Sequence, residues 1–383
     1  MVAVAFLLVA TACTGGTPGA STGASGGGDP IKIGLISPLS GPQPDRGKIL
    51  QVAAELAVAD INDAGGINGR QIELIVVDDA NDTNQGVTAA QRLIEQDKVV
   101  AITGILSSTR QEAIQPIAER AEVVVMGVIA TATGLTDGYR YAFRATGSND
   151  TIGPLIAKLA EDNGATKAAI LSDNTTYAQS LAAETVTGFG ETSVEIVSEE
   201  QYQTGAADVT PQILNIQGSD ADAVVPFPIT GADIALIAKT MVENNVLLPI
   251  FSHNGVFTTE AIELASADYE QLSGVWGMGT IDLSRDDATA FYDRMDEAAG
   301  FDVPQNEDAG QTYDAVMLIG EALKATGGEG KMALVEALEG IDNYVGIAGA
   351  EGSYYSFSED KHTGLTGDYL AAYKFEDGAF VIQ

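Results

Sequence analysis

VVAITGILSSTR, residues 99–110, opens on the apolar, β-branched run Val99, Val100, Ala101, Ile102 and Thr103, and so reads as a buried strand. Gly104 to Ser108 turn that strand into a helix predicted over 109–121. Ser107, Ser108 and Thr109 are all good N-cap residues. Gln111 stands three positions after Ser108 and Glu112 three after Thr109, so either pair suits a capping box. A helix start of this kind leaves backbone N–H groups pointing outward with the positive end of the helix dipole behind them. Such a corner suits an anion, a carboxylate in particular. Two readings follow: the hydroxyls only cap a helix, or a ligand sits on them.

Working outward, the same unit recurs. A strand over 31–36 leads through the turn 37–42 into a helix over 47–64, where Ile49, Val52, Leu56 and Ala59 share one face before Gly65 and Gly66 stop it. A strand over 71–77 ends in Asp78 and Asp79, a pair read as solvated or capping; a helix over 85–96 follows it. Beyond the central stretch comes a strand over 123–128. Strands alternating with helices over short connections predict an α/β fold, a mainly parallel sheet with helices on both faces. Right-handed crossovers then bring the strand C-termini to one edge, where ligands of such sheets bind. A second run begins near Asp150, with strands over 167–171, 193–197, 222–227 and 248–251 and helices over 177–188, 208–216 and 231–244. A strand-like segment over 274–280 carries Trp276. Helices over 286–299, 308–325 and 330–339 and β pieces over 353–357, 369–375 and 379–382 complete the chain, which therefore reads as two similar lobes.

Length agrees, since 383 residues exceed one ordinary core. Charge excludes some partners: 19 Lys and Arg against 54 Asp and Glu give −35, a surface that repels nucleic acid and anionic lipid. Residues 1–12, MVAVAFLLVATA, form an apolar run too short to span a bilayer. Ala10, Thr11 and Ala12 before Cys13 resemble a bacterial lipobox, which predicts a cleaved signal peptide over 1–12 and lipidation of Cys13. No Lys or Arg precedes the run, so the natural start is expected upstream. Residues 13–29 then form a lipid-bearing, Gly- and Ser-rich tether, with a reach of roughly 20–25 Å. With Cys13 the only cysteine, no intramolecular disulfide is available.

The stretches IKIGLISPLSGP (31–42), VADINDAGGINGRQIELIVVDDAND (58–82), the ITGILSST turn, LSDNTTYAQSLA (171–182) and TYDAVMLIGEAL (312–323) resemble the leucine/isoleucine/valine-type, or type I, periplasmic solute-binding proteins that feed ABC importers. The resemblance implies a two-lobe clamshell with three crossings, near 143–148, 277–281 and 352–357. Lobe 1 would take 30–146 and 280–352, and lobe 2 would take 147–279 and 353–383. Ligand would sit between the lobes and select the closed state.

In amino-acid binders of this family a Ser on the strand-to-helix turn and a Thr after the next strand hold the ligand carboxylate. Ser108 and Thr131 match them, Ile129 offers backbone groups, and Tyr177 matches the aromatic that covers the ligand. Hydroxyl and amide donors suit a carboxylate without burying a cation. Three positions depart. Asn254 stands where relatives often place the acid that receives the ligand ammonium, Ile229 lies near a missing tyrosine, and Arg46 replaces an aromatic. Arg46 is either solvated at the mouth or pairs with a second polar group of the ligand. The family's pair of first-lobe cysteines is replaced by Asn81 and Ser107.

Catalysis lacks its chemistry: His253 and His362 are the only histidines, no GxSxG elbow links a strand to a helix (the pattern occurs only in the Gly- and Ser-rich tether, at 19–23 and 23–27), and Walker, GxGxxG and HExxH motifs are absent. The resulting expectation is a monomeric, lipid-anchored, extracytoplasmic binding protein needing no metal or cofactor. It would deliver a small carboxylate ligand, a branched-chain or other amino acid, to a permease and its ATPase. The alternatives are a ligand-sensing receptor of the same fold, or a binder of a non-amino-acid organic acid or amide.

Overall fold

The computed structural model describes residues 28–383; the expected signal peptide over 1–12, Cys13 and most of the expected tether lie outside the described residues. The first run forms β1 (Ile31–Ser37), α1 (Pro44–Asp63), β2 (Ile72–Asp78), α2 (Thr83–Arg92), β3 (Ala101–Thr103), α3 (Ser108–Ala121), β4 (Val124–Gly127) and β5 (Ala142–Arg144). Its strands make one parallel sheet, ordered β2-β1-β3-β4-β5. Because helices cover both faces, successive residues of one strand are all apolar. In β4, Val124 and Met126 pack with Leu50 and Ile61 of α1, whereas Val125 packs with Ala90 of α2 and Ile114 of α3.

The β3–α3 turn depends on Gly104. Its φ is +86°, and a Cβ there would strike the Leu35 side chain and stand 2.8 Å from the Ile36 carbonyl oxygen. Gly104→Ala is therefore expected to destabilise the protein by about 1–3 kcal/mol, read as a lower Tm. An unchanged Tm would mean that β1 yields freely at this point.

The second run forms α4 (Asn149–Asp162), β6 (Lys167–Ser172), α5 (Thr176–Phe189), β7 (Glu195–Gln201), α6 (Thr210–Gly218), β8 (Ala223–Phe227), α7 (Gly231–Glu243), β9 (Ile250–Ser252), α8 (Thr259–Tyr269) and β10 (Val275–Gly279). Pleating again divides the core: Val224 of β8 faces Ile237 and Met241 of α7, and Val225 faces Ile156 of α4 and Leu181 of α5. Two helices were not predicted. α4 holds Gly153 and Pro154 in its interior, where they obscure a helical pattern; Gly153 lets α4 approach α5, since a Cβ would lie 2.6 Å from the Thr185 nitrogen. α8, TEAIELASADY, buries only Ala261, Ala265 and Tyr269.

The chain returns to the first sheet through α9 (Asp286–Ala299), α10 (Glu307–Thr326) and α11 (Lys331–Glu339). It then forms the two-residue strands β11 (Tyr354–Tyr355) and β12 (Leu365–Thr366), and finally β13 (Ala371–Glu376) and β14 (Ala379–Ile382). The second sheet is ordered β14-β13-β10-β9-β8-β6-β7, with β13 antiparallel to β10. The crossing expected at 352–357 falls later. Tyr355, Phe357 and Leu365 are buried in the first sheet's core beside Phe143, and Thr363 bridges Arg144. Residues 353–366 therefore pack with the first lobe, and the chain crosses at about 367–370, where Leu370 touches both cores.

Candidate functional site

The corner predicted to hold an anion lies where β3 turns into α3. Ser107 occupies the N-cap position with extended backbone, yet no side chain among the described residues caps the helix. Neither capping box forms. Gln111 Nε2 donates to the Phe143 carbonyl at 3.2 Å, and Glu112 accepts from Thr176 Oγ1 across the cleft at 3.2 Å. Ser108 Oγ instead accepts from the Ala132 N–H at 3.2 Å, which leaves its own proton to donate. Beside it the Thr131 hydroxyl is buried with no hydrogen-bond partner among the described residues. The Ser108 hydroxyl and the uncapped helix start thus offer donors at one corner, with the unpartnered Thr131 hydroxyl one residue before the Ala132 N–H that Ser108 holds, an arrangement suited to a carboxylate.

The loop bearing Ile129 and Thr131 is braced by a residue that sequence reading did not single out. Arg144 Nη1 donates to the Ala132 carbonyl at 2.6 Å and the Ala130 carbonyl at 3.3 Å, and its Nε to Thr363 Oγ1 at 2.7 Å. Burial lowers its pKa to about 10, a loss that the charges of Asp150 and Asp137 offset only in part. Asp79 was expected to be solvated or capping; it does cap the turn, accepting from the Asn81 N–H at 2.9 Å, but it is not solvated. It is buried and pairs with Arg110 Nε at 3.0 Å, while Arg110 Nη1 reaches Asn81 Oδ1 at 2.5 Å. Asp78 fits the expectation, accepting from the Leu39, Ser40 and Ala80 N–H groups.

The second lobe supplies the opposite wall. Thr175 caps α5 and so sets Tyr177 in its first turn. The Tyr177 hydroxyl meets His253 Nδ1 at 3.3 Å, and burial pushes its pKa well above its ordinary value. Burial also drives His253 down to about 3, so the imidazole is neutral. Asp173 ties the two loops of this wall together, accepting from Thr175 and from the Ile229 N–H at 2.9 Å.

Arg46, Ser108, Ile129, Tyr177, Ile229 and Asn254 line one cavity of about 30 Å³, with Leu106, Pro228, Gly255 and Thr258. Thr131 is not among its lining residues. Arg46 and Thr258 also border the cleft mouth, about 380 Å³. The lobes are closed over the cavity: Thr109 Oγ1 lies 3.2 Å from Thr176 Oγ1, and the Thr133 N–H donates to Ser180 Oγ at 2.9 Å. Neither expectation for Arg46 accounts for its main partner, which lies on α10. Its Nε and Nη2 grip Asp308 at 2.8 and 2.6 Å. Burial pulls that guanidinium down, and the carboxylates of Asp308, foremost, with Glu307 and Glu260 together more than offset it, holding Arg46 above its usual value. Asn254 donates to Glu307, another residue missed in the sequence, whose second carboxylate oxygen is buried without a hydrogen-bond partner among the described residues.

Two α/β lobes meet over one small cavity that both of them line. The chain belongs to the periplasmic binding protein family, which it matches over residues 30–379. It is 26% identical over 356 residues to a Leu/Ile/Val-binding protein homolog of Brucella abortus, covering 91% of each chain. Among solved structures it is similar to the branched-chain amino acid substrate-binding protein LivJ of Streptococcus pneumoniae in complex with isoleucine, at 26% identity and a TM-score of 0.78, covering 92% of this chain and 100% of that one. A solute-binding protein of R. palustris in complex with 4-hydroxybenzoate superposes with a TM-score of 0.81 at 20% identity, covering 93% and 96%. Among the described residues, no cluster of three or more His, Cys, Asp or Glu is placed to hold a metal, and no helix is long and apolar enough to cross a membrane.

Proposed function

We propose that this protein is the extracytoplasmic binding component of an ABC importer, anchored through Cys13, and that it captures a small carboxylate ligand, a branched-chain or other amino acid. One observation carries this reading: Ser108 and Ile129 of one lobe and Tyr177, Ile229 and Asn254 of the other line a single cavity. Ser108, Thr131 and the start of α3 receive the carboxylate, and Tyr177 covers the ligand. Bound ligand touches both lobes at once, so it stabilises the closed form that a permease would recognise. The Brucella and Streptococcus relatives support the amino-acid class. A second reading, an organic acid without an amino group, draws on the neutral Asn254 and on the R. palustris protein's ligand.

A thermal-shift screen with leucine, isoleucine, glutamate, phenylalanine and 4-hydroxybenzoate tests both. A ligand at about 1,000 times its Kd adds roughly 4 kcal/mol of apparent stability, several degrees in Tm. A shift with an amino acid supports the first reading, a shift with 4-hydroxybenzoate alone supports the second, and no shift with any carboxylate contradicts both.

A further inference from the structure

Asn254 brings no charge to the cavity wall, yet the side chain behind it does. Its Nδ2 donates to Glu307 Oε1 across the lobe interface, from the turn after β9 to the first residue of α10. Glu307 is 4% exposed, and its Oε2 accepts no hydrogen bond among the described residues. A buried carboxylate oxygen left without a donor is costly to keep, which points to a donor supplied from outside the chain. The neighbouring charges do not cancel it. Arg46 is held bidentately by Asp308, so its pull on Glu307 is a minor one, and an ionised Glu307 adds a negative charge directly behind Asn254, which lines the cavity.

We propose that the Asn254–Glu307 pair, one side chain from each lobe, is the receptor for a cationic nitrogen of the ligand, with Glu307 supplying the charge and Asn254 holding it at the cavity wall. This rests on the carboxylate-binding reading above and narrows it to a ligand bearing both a carboxylate and an ammonium. The two ends of such a ligand meet opposite poles, the helix start with Ser108 at one and Glu307 at the other. Because the pair spans the lobes, the ammonium also favours closure.

Burial raises the Glu307 carboxyl to about 7, Asp308 adding to the rise and Asn254 and Arg46 opposing it. The other titratable groups that feel it, Tyr177, Tyr292 and Tyr373, are themselves raised by burial and stay neutral near pH 7. Glu307 therefore ionises as pH rises through about 7, and affinity for an amino acid increases over that window, whereas that for its deaminated counterpart does not.

Titration calorimetry with leucine against 4-methylpentanoate, and phenylalanine against 3-phenylpropionate, tests the assignment at pH 6 and pH 8. Wild type is expected to prefer the amino acid of at least one pair. Glu307→Gln should weaken that amino acid by about 10- to 100-fold, remove its pH dependence and spare the deaminated acid. Adding Asn254→Asp to Glu307→Gln returns the charge to the other member of the pair and should restore amino-acid binding, which a merely structural role for Glu307 does not explain. Equal loss for both members of a pair, or no loss, overturns the proposal. Wild type binding only the deaminated acids overturns it while leaving carboxylate capture intact; binding neither member of either pair overturns both.

Discussion

Arg110→Met lowers the stability of the first lobe by about 3–5 kcal/mol, the cost of leaving a buried partner charge uncompensated. Arg110 and Asp79 are 4% and 1% exposed, with Nε and Oδ2 3.0 Å apart. For both groups burial is the largest influence: it raises Asp79 and lowers Arg110 despite their mutual attraction. The pair thus adds little beyond replacing lost water, but neither member tolerates losing the other. Arg110 also holds Asn81, so one side chain of α3 ties down the loop between β2 and α2. Thermal unfolding should show a fall of roughly 5–15 °C for Arg110→Met, with Asp79→Leu in the same chain recovering much of it. A Tm within a degree of wild type for the single variant would show that Asp79 finds water or another donor.

Ser108→Ala and Thr131→Val each weaken ligand binding by about 1–3 kcal/mol, roughly 5- to 150-fold in Kd, because each leaves a ligand carboxylate short of a charge-assisted hydrogen bond. The two differ in what they do without ligand. Ser108 Oγ also accepts from the Ala132 N–H, so Ser108→Ala strands a buried backbone donor and lowers Tm as well. Thr131 Oγ1 makes no hydrogen bond among the described residues, and valine keeps its shape, so Thr131→Val should weaken binding with Tm unchanged or raised. Calorimetry and unfolding on the two purified variants separate these effects. Full affinity in both would remove the carboxylate from this corner.

Much of the fold was legible because strands covered on both faces write uninterrupted apolar runs, as in residues 99–103 and in β4. α4 was not, since Gly153 and Pro154 interrupt its pattern for the sake of a close approach to α5. The third crossing was misplaced because β11 and β12 are two residues each, too short to carry a period. Only burial of Tyr355 and Phe357 against the first sheet assigns them. Within the site, Ser108 could be found from the strand-turn-helix pattern itself, whereas Tyr177, Ile229 and Asn254 were reached through resemblance. Glu307 was invisible: an acid in the first turn of a helix reads as a complement to the dipole. Its meaning arises only when α10 folds back across the lobe interface onto Asn254.

Titration calorimetry of the wild-type protein with carboxylates and their carboxamides bears most directly on capture of a carboxylate between the lobes. The pairs are leucine with leucinamide, phenylalanine with phenylalaninamide, and 4-hydroxybenzoate with 4-hydroxybenzamide. One of the acids should bind at a single site while its amide, unable to accept from Ser108, Thr131 and the start of α3 with a full negative charge, binds at least ten-fold more weakly. An amide that binds as tightly as its acid would contradict the assignment of this corner as the carboxylate receptor.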